Sequence, residues 1–205
     1  MKRSLIAIPL IIIGLLTGAL ATLCLAAEAE MCAGAQGAAV LATALTMSED
    51  HEVELYEGGD GGCEDTYISK DAQSARYSGE GQLRVGNRRK YAAIVKFDVS
   101  PIPQDAVIDW AQLRLYSSGS PDDGLPVDVH NITRTNVISE TNWSQASSGV
   151  NWGVSGCEDT TSDRRPQYED RQFVNAIYQW FQWDVTEVVR GRVNGDLANS
   201  GLLLH

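Results

Sequence analysis

The stretch Val107-Ile108-Asp109-Trp110-Ala111-Gln112-Leu113-Arg114-Leu115-Tyr116 decides the fold class. Ala111, Leu113 and Leu115 fall on one face, while Trp110, Gln112, Arg114 and Tyr116 fall on the other, the period-two pattern of a half-buried strand. Tyr91 to Val99 repeats it, with Val95, Phe97 and Val99 opposite Lys96 and Asp98. Val127 and Val129 with nearby Ile132, then Ile177, Phe181, Trp183 and Val185, mark further strands. Pro101, Pro103, Ser117 to Asp123 and Ser147 to Gly149 supply the turns between these runs. Only Thr186 to Val193 reads as helix, one or two turns long, with Thr186 as a natural N-cap and Gly191 or Gly195 to end it. Many short strands with almost no helix predict an all-β protein, a jelly-roll β-sandwich with one short helix.

Working outward, 205 residues suffice for one core plus an export segment. Lys and Arg total 16 against 27 Asp and Glu, a net charge of -11 that repels a phosphate backbone and argues against nucleic-acid binding. Lys2 and Arg3 precede an uncharged run from Ser4 to Ala27 that ends in Ala27-Glu28-Ala29. Residues 1–29 read as a signal peptide. The run also approaches the roughly 20 residues that span a bilayer, so an uncleaved N-terminal membrane anchor stays open. Either reading makes the protein secreted or displayed at the cell surface, touching membrane only through this segment. Residues 30–62 read as an Ala/Gly-rich linker, with an acidic run from Glu49 to Gly62. Its apolar stretch Ala38 to Leu45 is a short helix, a leader segment or a strand lent to another molecule. Residues 63–205 form the folded domain.

Cys63 and Cys157 sit in one local phrase, Gly-Cys-Glu-Asp-Thr, at 62–66 and again at 156–160. In an oxidising compartment such a pair can bridge, so a Cys63 to Cys157 disulfide is expected, the alternative being two thiols that never meet. Asn131-Ile132-Thr133 is the better of two N-glycan acceptor motifs and makes Asn131 a glycosylation candidate.

Several short motifs recur in order: Asp65-Thr66-Tyr67-Ile68, Gln82-Leu83-Arg84-Val85-Gly86, Phe97-Asp98-Val99-Ser100 with Ile102-Pro103, and Ala111-x-Leu113-x-Leu115-Tyr116. Thr141-Asn142-Trp143 follows with Gly149-x-x-Trp152, then Trp183-Asp184-Val185-Thr186 and Asn199-Ser200-Gly201-Leu202-Leu203. In this order the chain resembles the DNRLRE, or disaggregatase-related, domain family, which overlaps a carbohydrate-binding module family with alginate-binding members. The resemblance implies an extracellular β-sandwich without a catalytic role. It departs where Val137 and Ile138 replace a tryptophan, and where the family continues with one or two closing strands after Gly-Leu-Leu-Leu. A sandwich lacking its C-terminal closing strands exposes a sheet edge and an unfilled strip of core, which invites self-association. Ala38 to Leu45 is the candidate donor strand for a neighbouring subunit.

Sugar binding needs flat apolar faces and a few fixed polar groups. Trp110 and Tyr116, opposite the core residues of their strand, are candidate stacking platforms. Trp143 and Trp183 are read as core, and Trp152 and Trp180 stay undecided. Arg84, Arg88, Arg89 and Lys90, with Arg76 and Tyr77 upstream, form the dense basic patch of an acidic domain, and arginine's planar fork suits carboxylates or sulfates. A uronate-binding site here is the sharpest functional expectation. Glu64, Asp65 and Asp184 offer hard oxygen ligands for Ca²⁺, although Asp98 and Asp184 also suit local hydrogen bonds. His51, His130 and His205 accompany no nucleophile elbow, metalloprotease helix or phosphate loop, so no enzymatic role is expected. The sequence thus reads as a non-catalytic extracellular carbohydrate-binding or cell-surface adhesion module for polysaccharide or cell-surface glycan, with acidic polysaccharide the ligand its arginines suit. The alternative is a structural subunit of an extracellular filament or sheath assembled by strand complementation.

Overall fold

The computed structural model describes residues 10–17, 49–56, 62–118 and 124–205. Its strands, in chain order, are β1 (Leu10–Thr17), β2 (Glu49–Tyr56), β3 (Cys63–Ser69), β4 (Tyr91–Phe97), β5 (Val107–Ser117) and β6 (Leu125–Asn131). They continue with β7 (Gln145–Ser147), β8 (Val150–Asn151), β9 (Asp170–Val174), β10 (Gln179–Asp184) and β11 (Leu202–Leu204). The α-helix α1 (Thr186–Val193) falls where the sequence predicts it. Two antiparallel sheets, ordered β10-β5-β1-β2 and β3-β4-β11-β6-β9, form the all-β sandwich, and β7 pairs with β8.

The main core lies between the two sheets. Ala111, Leu113 and Leu115 of β5 and Trp183 of β10 meet Tyr67, Ala93, Val95, Phe97, Val127, Val129, Leu202 and Leu204 of the other sheet. Val188, Val189 and Val193 of α1 join them. Trp183 is fully buried, and its Nε1–H donates to Val127 O at 3.0 Å, tying β10 to β6 through the core. The reading of Trp183 and Trp143 as core residues holds.

The second sheet is covered on both faces. Ile68, Ala92, Ile94 and Leu203 point away from the main core into a second cluster with Trp143, Trp152 and Cys157. This is why Ala92 to Val95 forms an uninterrupted buried run. Thr141-Asn142-Trp143 frames that cover: Thr141 Oγ1–H donates to Ala146 O at 2.7 Å, and Asn142 O accepts from Trp152 Nε1–H at 2.9 Å. Asp163, with no side-chain exposure, accepts from Gly153 N at 2.8 Å, Val154 N at 3.1 Å and Arg134 Nε at 2.6 Å. Burial alone would raise its carboxyl pKa, but these donors outweigh it and hold the group below the ordinary carboxylate range.

Four expectations change here. Cys63 and Cys157 are not joined, because Cys63 packs against the main core and Cys157 is buried in the cluster on the opposite face of the second sheet. Asn131 is buried and its Oδ1 accepts from Arg192 Nη2 at 2.9 Å, so this packing leaves no room for a glycan. Thr186 does not cap α1. Asp184 Oδ1 accepts from Thr186 N at 2.9 Å and from its hydroxyl at 2.6 Å, and the N-cap position is Val185. Finally, Glu49–Tyr56, inside the stretch expected to be linker, is a strand. Val53 and Leu55 alternate with Glu52 and Glu54, a period-two pattern that the acidic composition hides.

The strand position between β5 and β2 is filled from the N-terminal apolar run. Leu10 pairs with Tyr56 and Arg114, and Leu16 with Asp50 and Val107. Ala38 to Leu45, the expected donor strand, lies outside the described residues.

Candidate functional site

Two surfaces carry the residues singled out in the sequence. The first is the outer face of β5 and β10. Gln112, Arg114 and Tyr116 lie opposite Asp184, Gln182 and Trp180. A register shift against β1 between Gly14 and Leu15 breaks the alternation at Asp109, so Asp109 and Trp110 are both exposed while Ile108 turns inward. Trp180 and Tyr116 meet edge to face at 5.4 Å, and the Arg114 guanidinium lies 5.3 Å from the Trp180 ring centre. Trp110 and Trp180 are each 40% exposed. Two grooves sharing Asp184 run along this face, one of about 340 Å³ beside Trp110 and one of about 400 Å³ beside Trp180. They are lined by Asp109, Glu169, Asp170, Asp184 and Glu187. Arg190, the cation there, is spent on Ile108 O, Glu187 and Asp109 O. The grooves offer aromatic edges, the amides of Gln112, Gln172 and Gln182, and a negative field.

The second surface is the turn before β4. Gly86, Asn87, Arg88 and Arg89 all have left-handed backbone, with φ of 87°, 50°, 55° and 60°. For three consecutive residues with side chains this costs about 1 kcal/mol or more each. The turn is closed by Lys90 N donating to Gly86 O at 3.0 Å and Gly86 N to Tyr91 O at 3.0 Å. Gly86 packs so closely on β6 that a Cβ there would sit 2.5 Å from Leu125 Cδ2. This contact sets Arg88 and Arg89 at the rim of a cavity of about 220 Å³, with Arg171 of β9 and Pro126, Asp128 and His205. Arg171 is held by both carboxylate oxygens of Asp128 and lies 4.7 Å from the Tyr168 ring centre. Among the described residues neither Arg88 nor Arg89 makes an ion pair or a side-chain hydrogen bond.

The rest of the expected basic patch disperses. Arg76 donates to Ser148 Oγ at 2.9 Å, and Lys90 pairs with Asp71 at 2.8 Å. Arg84 lies 4.9 Å from the ring centre of buried Tyr67, itself stacked on Tyr77 at 4.1 Å. Burial pushes the Tyr67 hydroxyl up to about 12. Arg84 and Tyr77 are therefore packing residues. Sequence reasoning left Trp180 undecided and missed Arg171, whose place opposite Asp128 follows from the β6–β9 register alone.

The expected calcium ligands are not gathered. Glu64 and Asp65 lie on β3 and Asp184 ends β10, in different sheets. Glu64 lies 3.9 Å from Lys96, and Asp184 is committed to Thr186. Among the described residues the His, Cys, Asp and Glu side chains whose donor atoms converge are instead Asp128, His130 and His205.

No curated protein and no solved structure matches the chain. A family model does match, over residues 62–204, a span that contains both surfaces except His205. The exposed aromatic and arginine side chains on a β-sandwich thus sit within a chain that belongs to carbohydrate-binding module family 96.

Proposed function

We propose that this chain is a non-catalytic, exported module that binds acidic polysaccharide, with a uronate carboxylate at Arg88, Arg89 and Arg171. The observation that carries this reading is the pair Arg88 and Arg89, held in left-handed backbone at a cavity rim without an anionic partner. Strain kept at a ligand-sized cavity is the mark of a preorganised site. Arginine forks match carboxylates with two parallel hydrogen bonds. The groove face complements this site differently: its five carboxylates repel uronates, so Trp180, Tyr116 and Trp110 suit the ring faces of neutral sugars. Calorimetry with an oligouronate and a neutral oligosaccharide tests the reading. Binding of the oligouronate that falls at least about tenfold in Arg88→Ala/Arg89→Ala supports it. Unchanged oligouronate affinity in that variant, or no carbohydrate binding at all, overturns it.

A second reading, assembly into filaments, draws on the strand position next to β5. Export with removal of residues 1–29 would take β1 with it and leave β5 and β2 without their shared neighbour. Such an opening accepts a strand from another copy. Light scattering on residues 30–205 separates the readings: ordered polymers favour assembly, and a folded monomer counts against it.

A further inference from the structure

The inner wall of the arginine cavity holds a converging donor set. Asp128 and His130 lie two residues apart on β6, hence on one face, and His205 follows β11 directly. The backbones of Asp128 and His205 exchange hydrogen bonds at 3.0 and 3.1 Å, and the two imidazoles meet at 5.0 Å between ring centres. One donor atom from each of Asp128, His130 and His205 lies within 4.8 Å of the others.

Three features orient these donors. His130 Nδ1 lies 3.1 Å from Arg165 O and 3.0 Å from Gln167 O. Arg164 Nη1, an obligate donor, also lies 3.2 Å from Nδ1, but a proton on Nδ1 serves both nearer carbonyls and leaves Nε2 its lone pair, the arrangement by which ligating histidines are held. Asp128 is fixed by Arg171, and each carboxylate oxygen keeps a second lone pair. The His205 side chain is only 6% exposed, yet its Nδ1 makes no hydrogen bond and stands 3.5 Å from Glu158 Oε1. Glu158 is thus its polar partner among the described residues, at a separation too long for a good hydrogen bond.

We propose that Asp128, His130 and His205 bind a divalent transition-metal ion, with Glu158 as a fourth ligand. Two imidazoles and a carboxylate at this spacing suit Zn²⁺ and its neighbours rather than Ca²⁺, which takes six or more oxygens. Arg164 Nη1 lies 3.2 Å from His130 Nδ1 and 3.5 Å from Nε2, so an ion at Nε2 requires that nitrogen to move aside, while Nη2 holds Glu158 at 2.9 Å. Because Asp128 and His205 also line the arginine cavity, a sugar carboxylate bound there bridges the arginines and the ion by taking the fourth position from Glu158. That bridging rests on the acidic-polysaccharide reading, whereas the ion site does not.

The test is calorimetry of Zn²⁺ alone into the full chain, without glycan. One ion per chain is expected, with affinity at least about tenfold weaker in His205→Ala and in Asp128→Asn. Co²⁺ added to the unaltered chain is expected to give the intense visible bands of a four-coordinate site, a readout that needs no variant to fold. Zn²⁺ binding that is absent, or equal in the unaltered chain and His205→Ala, overturns the proposal, as does Co²⁺ that stays spectroscopically octahedral. Zn²⁺ binding without any oligouronate binding would leave the ion site standing and remove the acidic-polysaccharide reading.

Discussion

The face of β5 and β10 and the left-handed turn at 86–89 are built in opposite ways. The first is strand that displays aromatic rings and amides on its outer face beside a negative field. The second is irregular backbone whose two arginines face a cavity without an ion-pair partner among the described residues. The difference teaches where specificity for charge resides. A regular face can display rings and amides cheaply, since alternation alone exposes them. Presenting two adjacent cations to one carboxylate requires conformations that the chain avoids unless a ligand-binding role or tight packing holds them.

Both surfaces hang from the same core, and the largest expected effect breaks both together. Trp183→Ala removes a fully buried indole and its bond to Val127 O, and should lower unfolding free energy by about 3–5 kcal/mol in denaturant titration. Asp163→Asn comes next, at about 3 kcal/mol, because it leaves Arg134 and the N–H groups of Gly153 and Val154 without their anion. The same carboxylate gives a pH dependence. Its folded pKa lies below the unfolded value of about 3.9, so its contribution is full above the unfolded value and is lost as pH falls from there through the lower folded value. Thermal melts of the unaltered chain should fall with acidification below about pH 4, and less steeply in Asp163→Asn.

Smaller changes separate the two surfaces. Arg89→Gly should stabilise the fold by up to about 1 kcal/mol, since glycine adopts φ near 60° without strain, while weakening oligouronate binding. Stabilisation without loss of affinity would show that the strain serves packing instead. Trp180→Ala should change stability by less than about 1 kcal/mol, given its exposure, and reduce binding of neutral sugars alone. A matching loss for oligouronates would merge the two surfaces into one.

Legibility from sequence follows the same division. Ala111, Leu113 and Leu115 announce their strand and its buried face, and the outward row that includes Trp110 and Tyr116 follows from period two. The Thr186–Val193 helix is equally readable, although its N-cap position is Val185 and the Thr186 N–H and hydroxyl are taken by the Asp184 carboxylate two residues back. β2 is hidden by its acidic composition, and β1 by an apolar run that suits export equally well. Local spacing cannot report that Arg76, Arg84 and Lys90 find partners elsewhere while Arg88 and Arg89 do not. Nor can it place Arg171 beside them, since that contact depends on the pairing of β6 with β9 across 43 residues of sequence. Cys63 and Cys157 share a phrase, but the sheet between their clusters separates them.

The most direct measurement of the central claim is an amide chemical-shift titration of the isotope-labelled chain with an oligouronate. The account predicts shifts centred on residues 86–90, 127–128 and 171, saturating together and weakened by salt. Shifts confined to 110–116 and 180–184, or none anywhere in 62–204, would contradict it.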